Sequence, residues 1–82
     1  MKYSDLYALR IKRLCKAHGI TINRLATLAG LKQSTIDNII HGTSKNPKVR
    51  TLHKIAVVFG MTLSEFLDFP ELNDYSIDDE EE

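Results

Sequence analysis

Residues 20–42 read ITINRLATLAGLKQSTIDNIIHG, and this stretch contains two short helical patterns separated by a glycine. Thr21 is suited to cap the first pattern, which Gly30 ends after about two turns. The second pattern begins at Lys32 and is ended by Gly42, and its apolar side is formed by isoleucines. Two short helices joined by a glycine-centred turn are the helix-turn-helix arrangement.

The residue sizes inside this stretch fit a steep crossing of two helices. Ala26 is small where the helices would press closest, and Gly30 falls four residues later, where the turn needs a positive φ angle. Apolar residues stand at the places that must fix the crossing angle, namely Leu25, Leu31, Ile36 and Ile39. Each of these signals is weak alone, but together they predict a helix-turn-helix.

Helical patterns flank this stretch on both sides. Before it, apolar residues at three- and four-residue spacings predict an amphipathic helix over residues 5–17, capped by Ser4 and ended by Gly19. After it, a polar loop leads to a fourth helix that begins around Lys48 and closes at Gly60.

A short fifth helix is predicted by Thr62-Leu63-Ser64-Glu65, which matches the S/T-x-x-E capping box and should run to about Leu67 before Phe69-Pro70 breaks it. The sequence therefore predicts an all-α, compact five-helix bundle. We expect a helix-turn-helix domain over residues 1–69 and an acidic tail over residues 70–82, whose last part, from residue 73, should be mobile.

The chain has 82 residues and a formal net charge of zero, but its charges are separated along the sequence. Residues 1–64 hold all 11 Lys and Arg against two acids, which gives +9, and residues 65–82 hold nine acids and no base, which gives −9. A net charge of zero would argue against nucleic acid as a partner, whereas this separation permits it.

Several classes of protein are disfavoured by what the sequence lacks. Its longest apolar run, residues 55–59, is five residues, far short of the ~20 that span a bilayer. The sequence has no secretion signal, no CxxC or HExxH motif, no glycine-rich phosphate loop and no nucleophile elbow. Cys15 is its only cysteine. We therefore expect a cytoplasmic protein that is not an enzyme, with no membrane association, no metal and no cofactor.

The sequence resembles the phage-repressor and Cro-like helix-turn-helix family, also called the xenobiotic-response-element family. The resemblance covers roughly residues 6–68. Its first part is Ile20-Thr21-x-x-x-Leu25-Ala26-x-x-Ala29-Gly30-Leu31-x-Gln33-Ser34-Thr35-Ile36 followed by His41-Gly42, and its second part is Pro47, Leu52, Ile55-Ala56, Phe59-Gly60-Met61 and Leu63. The resemblance implies a five-helix domain of the λ-repressor-like DNA-binding type, which often acts as a dimer on partly palindromic operators.

At three positions the chain departs from that family. The family often has a glutamine at the position of Ile22, for which Asn23 is the nearer polar substitute here. It often has an arginine at the position of Cys15 and a glutamate at that of Ile40, paired across the first and third helices. Here both residues are apolar, and two well-packed apolar residues can replace a buried ion pair without loss of stability. We predict that Cys15 and Ile40 touch.

The third helix is the candidate recognition helix, since its first two turns would face base edges in the major groove. Gln33 and Asn38 can each pair with the N6 and N7 atoms of adenine, and the methyl of Thr35 can touch thymine. Asp37 could accept from cytosine N4 or repel phosphates from a wrong register. The predicted base contacts are Lys32, Gln33, Ser34, Thr35, Asp37 and Asn38. The alternative is that this is only a solvated helix face.

Phosphate contacts are expected on both sides of the recognition helix. The unpaired N–H groups at the start of the second helix form an anion site. The polar loop after the third helix supplies hydroxyl groups and positive charge. The predicted phosphate contacts are Thr21, Ile22, Asn23, Thr43, Ser44, Lys45, Lys48 and Arg50.

Two other surfaces remain open to interpretation. An apolar rim in the region of the fourth and fifth helices, consisting of Val57, Val58, Phe66 and Phe69, is either a homodimer surface or packs under the C-terminal segment. The acidic tail is a solubilising end, a competitor of DNA for the basic part of the chain, or a docking strip for a protein partner.

These patterns predict sequence-specific binding to double-stranded DNA as a transcriptional regulator. Repression by occluding a promoter is the simplest mechanism. The competing hypothesis is a protein-interaction module, such as an antitoxin or co-regulator, that uses the same fold.

Overall fold

The computed structural model describes residues 2–77, and all the regular structure within that range is helical. Six helices follow one another: α1 (Tyr3–His18), α2 (Ile22–Ala29), α3 (Gln33–Ile40), α4 (Val49–Val58), α5 (Leu63–Leu67) and α6 (Pro70–Asn73). This confirms the all-α fold with a helix-turn-helix formed by α2 and α3. The sixth helix within the described range was not predicted, because its single turn follows the proline that seemed to end the fold.

The turn between α2 and α3 has the predicted geometry. Gly30 adopts φ +68°, its N–H donates to the Thr27 carbonyl over 3.2 Å, and the Leu31 N–H donates to the Ala26 carbonyl over 2.9 Å. A left-handed residue with these two hydrogen bonds satisfies the last carbonyls of α2 and reverses the chain. Leu31 then packs against the core under the turn, as its apolar character predicted.

The core lies where the inner sides of α1 to α5 meet. Its fully buried residues include one from each of these helices, namely Ile11, Leu25, Ile36, Ile55 and Phe66. Cys15 belongs to the same cluster, and burial raises the pKa of its thiol. Ile40 packs against the cluster from α3, so both residues of the predicted Cys15–Ile40 contact face one core, and their direct contact stays a prediction.

The start of α1 differs from the sequence prediction. Ser4 was expected to cap this helix from outside, but it lies inside the helix and is buried. The carboxylate of Asp5 instead accepts from the backbone N–H of Lys2 over 2.9 Å. Because Asp5 reaches back across one turn, the helix begins at Tyr3, two residues earlier than predicted.

Two members of the predicted dimer rim are wrong. Phe66 and Phe69 were assigned to an exposed apolar surface, but their exposed fractions are 0% and 2%. Burial of apolar surface accounts for their position, and Phe66 belongs to the core cluster. Arg10 of α1 lies beside them: its Nε donates to the Phe66 carbonyl over 2.9 Å and one terminal nitrogen donates to the Glu65 carbonyl over 3.0 Å. The guanidinium also lies over the Phe69 ring, 5.2 Å from its centre.

The acidic segment continues the fold as far as it is described. Arg13 of α1 forms an ion pair with Glu71 of α6, and the ring of Tyr75 meets that of Tyr3 edge-on at 5.0 Å. The backbone N–H of Glu71 and the Arg13 guanidinium lower the pKa of the Glu71 carboxyl. The domain boundary after residue 69 stays a prediction, and the acidic end of the tail, residues 78–82, lies outside the described residues.

We predict that Gly30→Ala lowers the free energy of unfolding by about 1–2 kcal/mol, because a Cβ atom strains the left-handed conformation. A Cβ atom at Gly30 would meet nothing within 4 Å, so steric overlap adds nothing to this cost. Gly30→Asn is the matched control, since asparagine tolerates this conformation better than alanine. Urea denaturation measures both, and an asparagine variant less stable than the alanine variant would contradict the account.

We predict that Arg10→Ala lowers the free energy of unfolding by about 2 kcal/mol, because two charge-assisted hydrogen bonds to α5 are lost. Arg13→Ala is the matched control: the Arg13 side of its ion pair with Glu71 is 55% exposed and screened by solvent, so the loss should be clearly smaller than for Arg10→Ala. Thermal unfolding of both variants compares them. Equal losses, or a larger loss for Arg13→Ala, would contradict the role given to Arg10.

Candidate nucleic-acid interface

The polar side of α3 faces outward, as the sequence predicted. Gln33, Ser34 and Asn38 are exposed, whereas Ile36 and Ile39 on the opposite side have exposed fractions of 0% and 1%. The remaining predicted base contacts are Lys32, which is exposed, and Thr35 and Asp37, which are half-buried. The helix is therefore anchored along one side and open along the other.

Two hydrogen-bonded pairs order side chains at the polar side of α3. The Gln33 Nε2 atom donates to the Asp37 Oδ1 atom over 2.9 Å. The Thr43 hydroxyl lies 3.1 Å from the Asn38 Oδ1 atom, and the backbone N–H groups of Thr43 and Ser44 donate to the Asn38 carbonyl. The second pair ties the loop that follows α3 to the helix itself.

The start of α2, where the sequence predicts an anion site, is a capped helix N-terminus. Thr21 caps the helix, with its hydroxyl oxygen accepting from the Arg24 N–H over 3.0 Å. The backbone N–H groups of Ile22 and Asn23 have no acceptor in the described part of the chain, as is usual in a first helical turn. Such N–H groups, together with the positive end of the helix dipole, favour an anion.

The loop between α3 and α4 brings positive charge next to the recognition helix. Lys45, Lys48 and Arg50 are exposed, and Ser44 is half-buried. Thr43 directs both its hydroxyl and its backbone N–H to Asn38, so within this structure it positions the loop rather than offering a donor outward. Lys45 and Lys48 of the loop, and Arg50 in the first turn of α4, are therefore the charged groups here that remain open to a phosphate.

Two features of the site escaped the sequence analysis. The bond between Gln33 and Asp37 was not predicted, although the spacing of one helical turn was a usable signal. The contacts of Arg10 with α5 were also not predicted. Their acceptors, the carbonyls of Glu65 and Phe66, lie 55 and 56 residues further along the chain, and local sequence patterns do not predict contacts over such a separation.

An apolar groove lies between α2 and α4. Leu28 and Val57 are exposed by 48% and 64%, and the groove between them has a volume of about 400 Å³. Its other lining residues are Ala29, Lys54 and Val58. Of the predicted dimer rim, Val57 and Val58 therefore stay at the surface.

Residues 2–77 lack the features of two other kinds of site. They contain no helix that is long and apolar enough to cross a bilayer. Within the same range, no three side chains of the His, Cys, Asp and Glu types are grouped so that they could hold a metal ion.

This geometry agrees with comparisons to known proteins. The model of the Cro/C1-type helix-turn-helix DNA-binding domain matches residues 10–71, and the chain belongs to this family. The family is one of DNA-binding domains of transcriptional regulators rather than of enzymes. The resemblance seen in the sequence is thereby confirmed.

Curated relatives are transcriptional regulators. The chain is 35% identical over 65 residues to the HTH-type transcriptional regulator PuuR of Escherichia coli strain K12, an alignment that covers 79% of this chain and 35% of PuuR. It is 33% identical over 52 residues to the uncharacterized HTH-type transcriptional regulator RghRB of Bacillus subtilis strain 168, covering 63% of this chain and 37% of RghRB. The chain thus spans about a third of the length of these curated relatives.

Solved structures share the fold. The prophage Lp1 protein 11 superposes with a TM-score of 0.81 and 37% identity, over 92% of this chain and all of that one. The N-terminal DNA-binding domain of SinR from Bacillus subtilis superposes with a TM-score of 0.70 and 28% identity, over 78% of this chain and 93% of that one.

Proposed function

We propose that the chain binds double-stranded DNA at specific sequences and acts in the cytoplasm as a transcriptional regulator, most simply as a repressor that occludes a promoter. In this proposal α3 lies in the major groove. The observation that carries the proposal is the exposed polar side of α3 on a helix whose other side is fixed in the core. The proposed base-reading side consists of Lys32, Gln33, Ser34, Thr35, Asp37 and Asn38.

Backbone contacts on both sides of α3 would hold it in the groove. The N–H groups at the start of α2 suit one phosphate, and the basic side chains of the loop after α3 suit phosphates on the other side. The proposed set is Thr21, Ile22, Asn23, Ser44, Lys45, Lys48 and Arg50. Thr43, predicted from the sequence as a further contact, instead orders the loop through its bonds to Asn38. Such contacts give affinity and register, while the side chains of α3 give sequence preference.

We further propose that two copies associate through α4, with Val57 and Val58 in the contact. Val57 is exposed by 64% beside the groove that Leu28 also borders, and burying such apolar surface favours association. Two copies related by a two-fold axis would place their recognition helices on two half-sites about one helical turn of DNA, roughly 34 Å, apart.

A second candidate function is a protein-interaction module, and the same groove favours it. Exposed apolar residues such as Leu28 and Val57 rimmed by polar ones are typical of sites that bind protein. In this alternative the groove, or the acidic tail, binds a different protein and DNA binding is secondary. Val57→Asp should remove association through the groove under either function. The two functions then differ in DNA binding: a monomer whose α3 is unchanged still binds one half-site if DNA binding is the main function.

We predict that binding to random duplex DNA weakens steeply with salt, because about four phosphates neutralised per monomer give a slope of roughly −3.6 in a plot of log affinity against log salt concentration. Lys45→Ala and Arg50→Ala should each reduce the magnitude of that slope by about one unit, because each removes one phosphate contact. Each should also weaken binding to all sequences alike. Fluorescence anisotropy with a labelled duplex measures these slopes.

Lys12→Ala is the matched control for this measurement, because Lys12 is an exposed base of α1 outside the proposed interface. Its slope should equal that of the unchanged chain. A flat salt dependence of the unchanged chain, combined with self-association or partner binding that Val57→Asp abolishes, would contradict DNA binding as the main function and favour the interaction module.

A further inference from the structure

The bond between Gln33 and Asp37 involves two residues of the proposed base-reading side. They are one helical turn apart on α3, and the Gln33 Nε2 atom lies 2.9 Å from the Asp37 Oδ1 atom. Gln33 is exposed and Asp37 is half-buried. The carboxylate of the half-buried Asp37 therefore holds the amide of an exposed residue on the proposed base-reading side.

The chemistry of this pair fixes the direction of the amide. An ionised carboxylate only accepts hydrogen bonds, so the nitrogen of the Gln33 amide must face Asp37 and its oxygen must face away. The amide nitrogen carries two hydrogens, and Asp37 takes one of them. The edge left for a partner consists of one acceptor, Oε1, and one donor, the second N–H.

Asn38 differs in this respect. Its side-chain partner is the hydroxyl of Thr43, at 3.1 Å. Because a hydroxyl both donates and accepts, this partner does not fix which end of the Asn38 amide faces outward. Asn38 therefore serves as a control on the same helix: it is an amide whose outward edge its neighbour does not fix.

We propose that Asp37 is a positioning residue that makes Gln33 prefer adenine over guanine. This inference rests on the proposed function. In the major groove adenine presents one acceptor, N7, and one donor, the N6 amino group, whereas guanine presents two acceptors, N7 and O6. The remaining edge of Gln33 complements adenine, while a two-donor contact with guanine would need the hydrogen that Asp37 holds.

The charge of Asp37 gives this role a distinctive signature. Asp37 is the only acid between residues 6 and 64, and it would lie near phosphates when α3 is in the groove. Its negative charge weakens binding to every duplex. Removing the charge should therefore raise affinity for random DNA while it lowers the preference for adenine, and a purely structural residue would not produce opposite changes.

The test compares the full chain with Asp37→Asn, Gln33→Ala and the double variant. Bound sequences are selected from a random duplex pool, and the base pair whose preference disappears in Gln33→Ala identifies the position that Gln33 reads. The ratio of affinities for duplexes with adenine or guanine at that position is then measured for each chain. Asp37→Ala, which has no side-chain acceptor, is measured beside Asp37→Asn.

The expected result is a fall of about tenfold in the adenine-to-guanine ratio for both Asp37 variants, within the range of one base contact. Affinity for random duplex should rise. In the Gln33→Ala background the Asp37 change should leave the ratio unaltered, since coupled residues are not additive. The preference that depends on Asn38, found in the same way with Asn38→Ala, should not respond to Asp37→Asn.

One outcome would contradict the positioning role of Asp37 alone, and another would contradict the proposed function. If Gln33 sets a base preference and both Asp37 variants keep the original ratio, the positioning role of Asp37 is wrong and DNA reading by α3 stands. If the unchanged chain shows no base preference, or Gln33→Ala keeps every preference, the proposed function itself is wrong.

Discussion

The turn at Gly30 is the constraint on which the rest of the structure depends. The chain changes direction at Gly30 and Leu31, whose N–H groups donate to the Thr27 and Ala26 carbonyls. Leu25 before the turn and Ile36 after it are both fully buried, so α3 cannot rotate about its axis without exposing apolar surface. The polar side of α3 is held outward by burial of its opposite side.

The C-terminal acids have a structural use that their charge alone does not suggest. Glu65 closes the capping box of α5, and its bonds with the backbone and side chain of Thr62 lower the pKa of its carboxyl. Asp68 accepts from the Asn73 amide over 2.8 Å, and Glu71 pairs with Arg13. Arg10 and Arg13, two bases of α1, are engaged by this segment. Basic residues of α1 thus contact both α5 and α6: Arg10 bonds to backbone carbonyls of α5, and Arg13 pairs with an acid of α6.

Local signals predicted the fold well, because caps and turns depend on residues within one or two helical turns. Thr21, Gly30 and the Thr62–Glu65 capping box all act as their sequence patterns indicate. One local prediction failed, at the start of α1, where Ser4 is buried inside the helix and Asp5 accepts from the Lys2 N–H. The other main failure depends on residues far apart in the chain. Phe66 and Phe69 fall within a short, breaker-flanked segment that reads as a surface rim, but Phe66 is buried in the core and Phe69 lies against Arg10 of α1.

The candidate site follows the same division. The exposed side of α3 could be predicted from the spacing of its isoleucines, since that periodicity defines one buried side. The pairing of Thr43 with Asn38 could not, because it depends on the path that the chain takes after Gly42, whose φ angle is +74°. That path brings Thr43, which was expected to contact phosphate, into hydrogen-bonding distance of Asn38 on α3.

The most direct test of the central claim is nuclear magnetic resonance of the isotope-labelled chain during titration with the duplex it selects. The account predicts that the largest amide shift changes occur in the first two turns of α3, at the start of α2 and in the loop from residue 43 to residue 50. Changes confined to the groove between α2 and α4, with α3 unperturbed at saturating DNA, would contradict it.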